Sequence, residues 1–286
     1  MSKVEHVHHL HFSQDPLFIG VTPKWADGQG QLSNAEFLRR VDSAKAYCLS
    51  LQIRRVALFH DDIVPFAVWL LALLSADIEV VLLPNAKPDT VQATAETVDL
   101  VMLQPDLRDD IAEASTLSIK SDAKLWFLTS GSTGAPKLIV KQFWQLQLEV
   151  QVLQQTFNCS TTASSTLFAA TVPHFHIYGL LFRLLWPLQN GATLYSTTIE
   201  YEEQWLSLVQ YGKPVTLISS PAHISRYDDL QQIPHNAQLL NRVFCSGGPW
   251  RSITLRLFIN KLVMVWLKLS GALKLAGLAG DNIAKT

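Results

Sequence analysis

Short strand-like runs alternate with helix-like segments in the first 104 residues of this chain. The strand-like runs, rich in apolar and β-branched residues, are Arg55–His60, Glu79–Leu83 and Leu100–Gln104. An apolar helix ending near Ser75 and a polar helix over 88–98 are predicted between them. Strands that alternate with helices pair in parallel, because each helix returns the chain across the sheet. The sequence therefore predicts an α/β fold of layered, mostly parallel sheets with helices.

A loop packed with glycine, serine and threonine directly follows another buried run, Leu125–Leu128. Its sequence, TSGSTGAPK, lacks the patterns of a Walker A loop and of G-x-G-x-x-G. Glycines allow close backbone approach, so successive N–H groups, hydroxyls and a lysine can all face one anion. The predicted phosphate ligands are Thr129, Ser130, Gly131, Ser132, Thr133, Gly134 and Lys137. An ordinary Ser/Gly surface turn is the alternative.

These nine residues closely resemble the phosphate loop of the adenylate-forming superfamily, which includes acyl- and aryl-CoA synthetases. Three later segments also resemble motifs of that family. They are PHFHIYGLL at 173–181, TLISSPAHI at 216–224 and VFCSGGP at 243–249. The resemblance spans about 32–249. Within the superfamily, the sequence is similar to the small synthetases of bacterial aryl polyene clusters. This resemblance implies the large N-terminal domain of an adenylate-forming enzyme.

The resemblance also implies roles for single residues. His176 would line the acid-substrate pocket together with Gly179 and Pro221, although His174 competes with His176 for that role. A core histidine bonded to a backbone carbonyl is the structural alternative. The remaining implied roles are catalysis for Lys137 and His176, and adenine binding for Ser246, Gly247 and Gly248.

The implied reaction uses ATP and Mg²⁺ as cofactors. A small carboxylic acid, fatty or aryl, would join the α-phosphate of ATP with release of pyrophosphate. The acyl group would then pass to a thiol of CoA or of an acyl carrier protein. Catalysis in such a site consists mostly of positioning and of neutralising phosphate charge, which is what the predicted loop offers.

Composition and charge exclude several other classes of protein. With 48% hydrophobic and 16% charged residues, the chain is typical of a folded core and not of disorder. The net charge of -1 gives no electrostatic reason to expect nucleic acid as a partner. The most apolar stretch, 63–76, is shorter than the roughly 20 residues of a membrane span. No signal peptide is recognisable, so we expect a cytoplasmic protein without a transmembrane segment.

Cysteine and histidine patterns give little reason to expect a metal site. The three cysteines are far apart and odd in number, which favours neither disulfides nor a zinc site with paired spacing. Four histidines, His6, His8, His9 and His11, cluster near the N-terminus, and alternate members share a strand face. Without accompanying cysteines or carboxylates, a solvated segment is favoured over a metal site.

The resemblance ends near Pro249. The superfamily next shows a Gly-Ser-Thr-Glu-type motif whose acid supports Mg-ATP, and later a small domain with a catalytic lysine; Ser252–Thr286 contains neither, and no glutamate at all. The expected division is an N-terminal segment at 1–31, an incomplete adenylation domain at 32–250 and a non-homologous tail at 251–286. This pattern predicts a chain without a small C-terminal domain and without catalytic activity.

Two hypotheses account for the tail. Residues 1–250 carry 17 basic and 23 acidic side chains, whereas 251–286 carry six and one. A frameshift explains this change in charge. Permitted codons from Ser252, when read two bases later, can encode the missing motif. The codons were chosen to favour that match, and the nucleotide sequence of the gene decides between the hypotheses. The alternative is a basic amphipathic helix over Leu255–Ala279 that binds a membrane surface.

Overall fold

A computed structural model describes most of the chain. The described residues are 7–10, 17–107, 117–130, 136–157, 166–201, 204, 208, 210–224, 240–246 and 263–267. They form an α/β structure of two mostly parallel sheets with helices between and around them, together with a small two-stranded sheet. The predicted fold class is confirmed.

The elements follow one another along the chain in this order. The strands are β1 (Val7–Leu10), β2 (Phe18–Ile19), β3 (Gln31–Leu32), β4 (Arg55–Phe59), β5 (Glu79–Leu82), β6 (Leu100–Leu103), β7 (Leu117–Lys120), β8 (Lys124–Ser130), β9 (Pro136–Gln142), β10 (Leu167–Ala170), β11 (Thr193–Thr198), β12 (Val215–Ser219), β13 (Leu240–Ser246) and β14 (Val263–Leu267). The helices are α1 (Asn34–Ser50), α2 (Ile63–Ser75), α3 (Pro88–Ala95), α4 (Phe143–Phe157), α5 and α6 (Pro221–Ile224). Helix α5 is continuous and comprises Ile177–Gly179, a wide π-helical turn at Leu180–Leu185, and Trp186–Gln189.

The first sheet has the strand order β6-β4-β5-β8-β9. Its first four strands pair in parallel, as the alternation of strands and helices predicts. Strand β9 runs antiparallel to β8 and forms a hairpin with it. The carboxyl ends of β4, β5 and β8 therefore share one edge, and the predicted phosphate loop leaves the sheet at that edge.

The second sheet has the order β14-β13-β12-β10-β11-β2-β3, and every pair in it is parallel except β2 with β3. Both predicted end segments contribute strands to it. Within 1–31, β2 pairs with β11, and within 251–286, β14 pairs with β13. The domain boundaries expected from the sequence remain predictions.

Helix α2 forms the centre of the molecule and contacts strands of both large sheets. Asp62 caps its N-terminus by accepting a hydrogen bond of 2.9 Å from the backbone N–H of Val64. Every residue from Ile63 to Leu74 is buried. Burial of one large apolar side chain contributes about 1.5 to 3 kcal/mol, so this helix supplies much of the core. Its all-round apolar sequence thus reflects a position between layers, and no described helix is long and apolar enough to cross a membrane.

Candidate functional site

Two loops meet where the carboxyl edges of the large sheets face each other. The segment 171–176 follows β10, and residues 60–62 follow β4. The Nε2 atom of His174 lies 2.9 Å from the carbonyl oxygen of His60. The rings of Phe175 and Phe59 pack with centroids 5.0 Å apart, and His174 packs on Phe66 at 4.5 Å. The first sheet thus supports a segment that belongs to the second.

The two competing histidines occupy different environments. His174 is buried, and burial, assisted by the positive Arg183, holds its pKa well below the ordinary value of 6.5. Because Nε2 faces a carbonyl oxygen, this nitrogen carries the proton. His176 is exposed to solvent as the residue before α5, and partial burial lowers its pKa as well. Of the two, His176 is the one accessible to a substrate.

Gly179 permits the tight turn that presents His176. A Cβ atom at this position would collide with the Pro173 carbonyl oxygen and would lie 2.8 Å from its carbonyl carbon. The backbone of Gly179 is helical, so close approach and not positive φ requires glycine here. The glycine predicted to line the pocket thus has an independent packing role.

The ends of β10, β12 and β13 form the neighbouring wall. The hydroxyls of Thr171 and Ser219 are 2.8 Å apart in a buried hydrogen bond that joins the first two of these strand ends. Pro221, predicted to line the acid pocket, is half-buried and opens α6 just after β12. Ser246, a predicted adenine contact, is half-buried and ends β13. These residues lie at successive positions along one sheet edge.

Sequence reasoning did not single out Tyr178, which also belongs to this wall. Burial raises the pKa of its hydroxyl well above the ordinary value of 10, while Ser246 and the Ser219 backbone act in the opposite direction. The hydroxyl therefore stays protonated at neutral pH and offers both a donor and an acceptor. The sequence signal that could have pointed to Tyr178 is its position two residues after His176.

The two ends of the predicted phosphate loop lie in the paired strands β8 and β9. In this hairpin Thr129 pairs with Lys137 and Ser130 pairs with Pro136, so the first and last predicted ligands lie side by side. The Lys137 side chain is exposed. Leu138 and Trp126 on the same hairpin pack in the cluster that receives Phe175. The hairpin and the His176 segment therefore both pack on the same apolar face of the first sheet.

Several predicted site residues lie outside the described part of the chain. They are Gly131, Ser132, Thr133, Gly134, Gly247 and Gly248. Their roles stay predictions. The same holds for His6 and His11 of the N-terminal cluster, whereas His8 lies in β1, with its ring 5.8 Å from that of Phe143. Within the described ranges, no group of three or more histidine, cysteine or acidic residues could hold a metal ion.

Comparison with known proteins gives matches of three kinds. The model of the AMP-binding enzyme family matches residues 118–270, more than half of the chain. The rice protein 4-coumarate--CoA ligase-like 4 (Oryza sativa subsp. japonica) is 28% identical over 180 residues, which is 60% of this chain. This chain spans only about a third (31%) of the length of that curated relative.

Two solved structures show the same fold. The complex of VinN with L-aspartate superposes with a TM-score of 0.70 at 18% identity, covering 85% of this chain and 71% of that chain. ATP-bound MatB from Rhodopseudomonas palustris gives 0.66 at 19% identity, covering 88% and 57%. At such low identity these two structures support the architecture alone.

Proposed function

Because the chain belongs to the AMP-binding enzyme family, we propose that it binds ATP and a small carboxylic acid at the meeting edges of its two sheets. In the proposed reaction, a carboxylate oxygen attacks the α-phosphorus of ATP, an acyl-adenylate forms and pyrophosphate leaves. One observation carries the proposal. The phosphate-loop hairpin and the segment that presents His176 pack against the same apolar cluster of the first sheet, the hairpin through Leu138 and Trp126 and the segment through Phe175.

The polyphosphate of ATP would lie on the loop between β8 and β9. Lys137 lies opposite Thr129 at the base of the loop and projects into solvent, where an anion can reach it. Hydrogen bonds to charged groups contribute about 1.5 to 3 kcal/mol each, so several donors in one loop suffice to hold the phosphates. Mg²⁺ commonly binds through substrate phosphates with few protein ligands, so we expect it to enter the site together with ATP.

The acid would lie beside His176, Gly179 and Pro221. Since burial lowers its pKa, His176 is neutral at pH 7 and would orient the acid by hydrogen bonding, not by its charge. The relative named 4-coumarate--CoA ligase-like 4 supports an aryl acid as the first candidate and a fatty acid as the second. CoA is the corresponding acceptor, with a carrier-protein thiol as the alternative.

Nucleotide binding without turnover is the second candidate function. The observation that favours it is the sequence after Pro249, in which no Gly-Ser-Thr-Glu-type motif occurs and Ser252–Thr286 has no glutamate. This stretch would then not supply the glutamate that supports Mg-ATP during the reaction, although the loop at 129–137 could still bind phosphates.

Calorimetry with Mg-ATP and a pyrophosphate-release assay with aryl acids, fatty acids and CoA separate these candidates. Binding with pyrophosphate release supports the ligase, and binding without it supports the second candidate. A folded protein that binds no ATP would contradict both. Lys137→Met should weaken ATP binding about tenfold or more. Lys213→Met is the control, because the Lys213 side chain donates to the Thr193 hydroxyl at the amino ends of the strands, away from the candidate site.

A further inference from the structure

Arg183 is a fully buried cation that the proposed reaction does not use. It is the one charged residue in the apolar run Leu180–Trp186 and is only 2% exposed. Its Nη1 atom donates to the Val172 carbonyl oxygen at 2.8 Å and to Thr198 Oγ1 at 2.9 Å. Its Nη2 atom donates to the Ser196 carbonyl oxygen at 2.8 Å. The guanidinium thus joins helix α5, the end of β11 and the start of the His176 segment.

The acceptors lie where the second sheet is irregular. Phe168 pairs with Leu194 and Ala170 with Thr198, so one residue of β10 faces three residues of β11. Such a bulge leaves backbone groups outside the regular ladder. Arg183 supplies the missing donor for Ser196, and the same guanidinium reaches Val172, just beyond the end of β10.

The guanidinium of Arg183 is charged although it is buried. Burial lowers the pKa of Arg183 to about 10, while the Asp62 carboxylate acts in the opposite direction, so the group remains protonated at neutral pH. All three hydrogen bonds go to neutral oxygens, and among the described residues no carboxylate forms a direct ion pair with Arg183. A buried charge that no carboxylate contacts directly is costly, and an apolar side chain would fill the site without that cost.

We propose that Arg183 is a positioning residue that fixes the segment Val172–His176 against bulged β11 and thereby sets the place of His176. The segment is held from two sides. Arg183 holds its beginning from within the second sheet, and the bond between His174 and His60 holds its middle from the first sheet. Without Arg183, Val172 loses its donor, while the bond of His174 to His60 still holds the middle of the segment.

Hydrogen–deuterium exchange on the full chain tests this inference without reference to activity. We compare Arg183→Met with Arg183→Lys, which keeps the charge but lacks the planar two-nitrogen reach. Thr198→Val removes one acceptor, and Thr197→Val is its matched control because Thr197 is the exposed neighbour that bonds Gly20 instead.

Amides of 171–179 should exchange about tenfold faster in Arg183→Met, and several-fold faster in Thr198→Val and Arg183→Lys. Exchange in β4 should change less than twofold, and Thr197→Val should leave both regions unchanged. Unchanged exchange at 171–179, or an equal increase in β4, would overturn the inference. If Arg183→Met does not fold, the same criteria are applied to Arg183→Lys and to the comparison of Thr198→Val with Thr197→Val, and these variants decide the inference.

The activity readout rests on the proposed function. If wild type releases pyrophosphate, Thr198→Val and Arg183→Lys should raise KM for the acid several-fold and leave KM for ATP within twofold, because the phosphate loop belongs to the other sheet. An equal rise in both KM values, or a loss of kcat alone, contradicts the positioning role. If wild type releases none, the proposed ligase reaction fails, and hydrogen exchange alone decides the role of Arg183.

Discussion

His174 and His60 join the two large sheets through a hydrogen bond of 2.9 Å between the His174 Nε2 atom and the His60 carbonyl oxygen. The two residues are 114 positions apart in the chain. His60 in turn accepts a bond of 2.9 Å at Nδ1 from the backbone N–H of Asp62, the cap of α2. The start of the central helix and the loop of the candidate site therefore form one connected unit.

We expect His174 to make the free energy of unfolding depend on pH. The folded-state pKa of His174 lies below its ordinary value of 6.5, so the unfolded chain binds more protons below that pH. The free energy of unfolding is therefore highest, as far as His174 is concerned, above pH 6.5, and it decreases as the pH falls below that value, by up to about 1.4 kcal/mol per pH unit. Urea unfolding at pH 7.5 and 5.5 measures it.

In that experiment His174→Gln should lose less stability between the two pH values than wild type, since glutamine can donate the bond but does not titrate. His176→Gln is the matched control. His176→Gln should change the pH dependence of stability less than His174→Gln does, because His176 is exposed and its pKa is lowered to a lesser extent. Equal pH dependence of His174→Gln and wild type would refute the assignment.

Gly179→Ala should destabilise the protein by about 1 to 3 kcal/mol or prevent folding, because the new methyl group overlaps the Pro173 backbone. Gly28→Ala adds the same methyl group in open space and should change stability by less than about 0.5 kcal/mol. Thermal unfolding of both variants is the measurement. Similar melting temperatures for the two would show that Pro173 moves aside without cost.

Glu79 should stabilise the amino edge of the first sheet in a pH-dependent way. Its carboxylate accepts bonds from Lys124 at 2.8 Å, Arg55 at 2.6 Å and Trp126 at 2.9 Å. Burial alone would raise the pKa of Glu79, but these bonds lower it below 4.5. The stabilisation is therefore present above pH 4.5 and is lost as the pH falls below it.

Glu79→Gln should accordingly lower the unfolding free energy at pH 7 by at most about 1 kcal/mol, since solvent screens this partly exposed cluster. The difference from wild type should vanish near pH 3. Glu96→Gln is the control at an exposed site and should show no such convergence. A deficit in Glu79→Gln that persists at pH 3 would mean that packing, not charge, is responsible.

Cys48 and Cys245 should resist thiol reagents in the native protein. Burial raises the pKa of each thiol to about 12, and the thiolate is the reactive form. Titration of Cys159→Ser with a chromogenic disulfide at pH 8 should give almost no reaction until denaturant is added, and then two thiols per chain. Rapid native reaction would show that one of these core positions opens to solvent.

Local sequence patterns predicted the elements of the first sheet well. The runs Arg55–His60, Glu79–Leu83 and Leu100–Gln104 predicted β4, β5 and β6, and each strand ends one residue earlier in the structure. The helix predicted to end near Ser75 ends there. Helix α3 is shorter than the predicted span of 88–98 and ends at Ala95, since helix boundaries depend weakly on local pattern.

The candidate site was predictable only where a motif marked it. The phosphate loop and His176 stand in recognisable motifs, whereas Arg183 appears in the sequence as one cation in an apolar run. Its meaning depends on Val172 and Ser196, which come from different strands. Tyr178 was missed because its burial is set by strand ends far along the chain.

The sequence by itself determined the α/β class and the order of strands and helices in the first 104 residues, because periodicity acts over a few residues. Only the tertiary structure decided which histidine is buried, why residue 179 must be glycine and what Arg183 bonds. Each of these depends on atoms brought together by sheet pairing and by packing around α2. Burial and hydrogen bonding are properties of that assembled neighbourhood, and no short stretch of sequence specifies it.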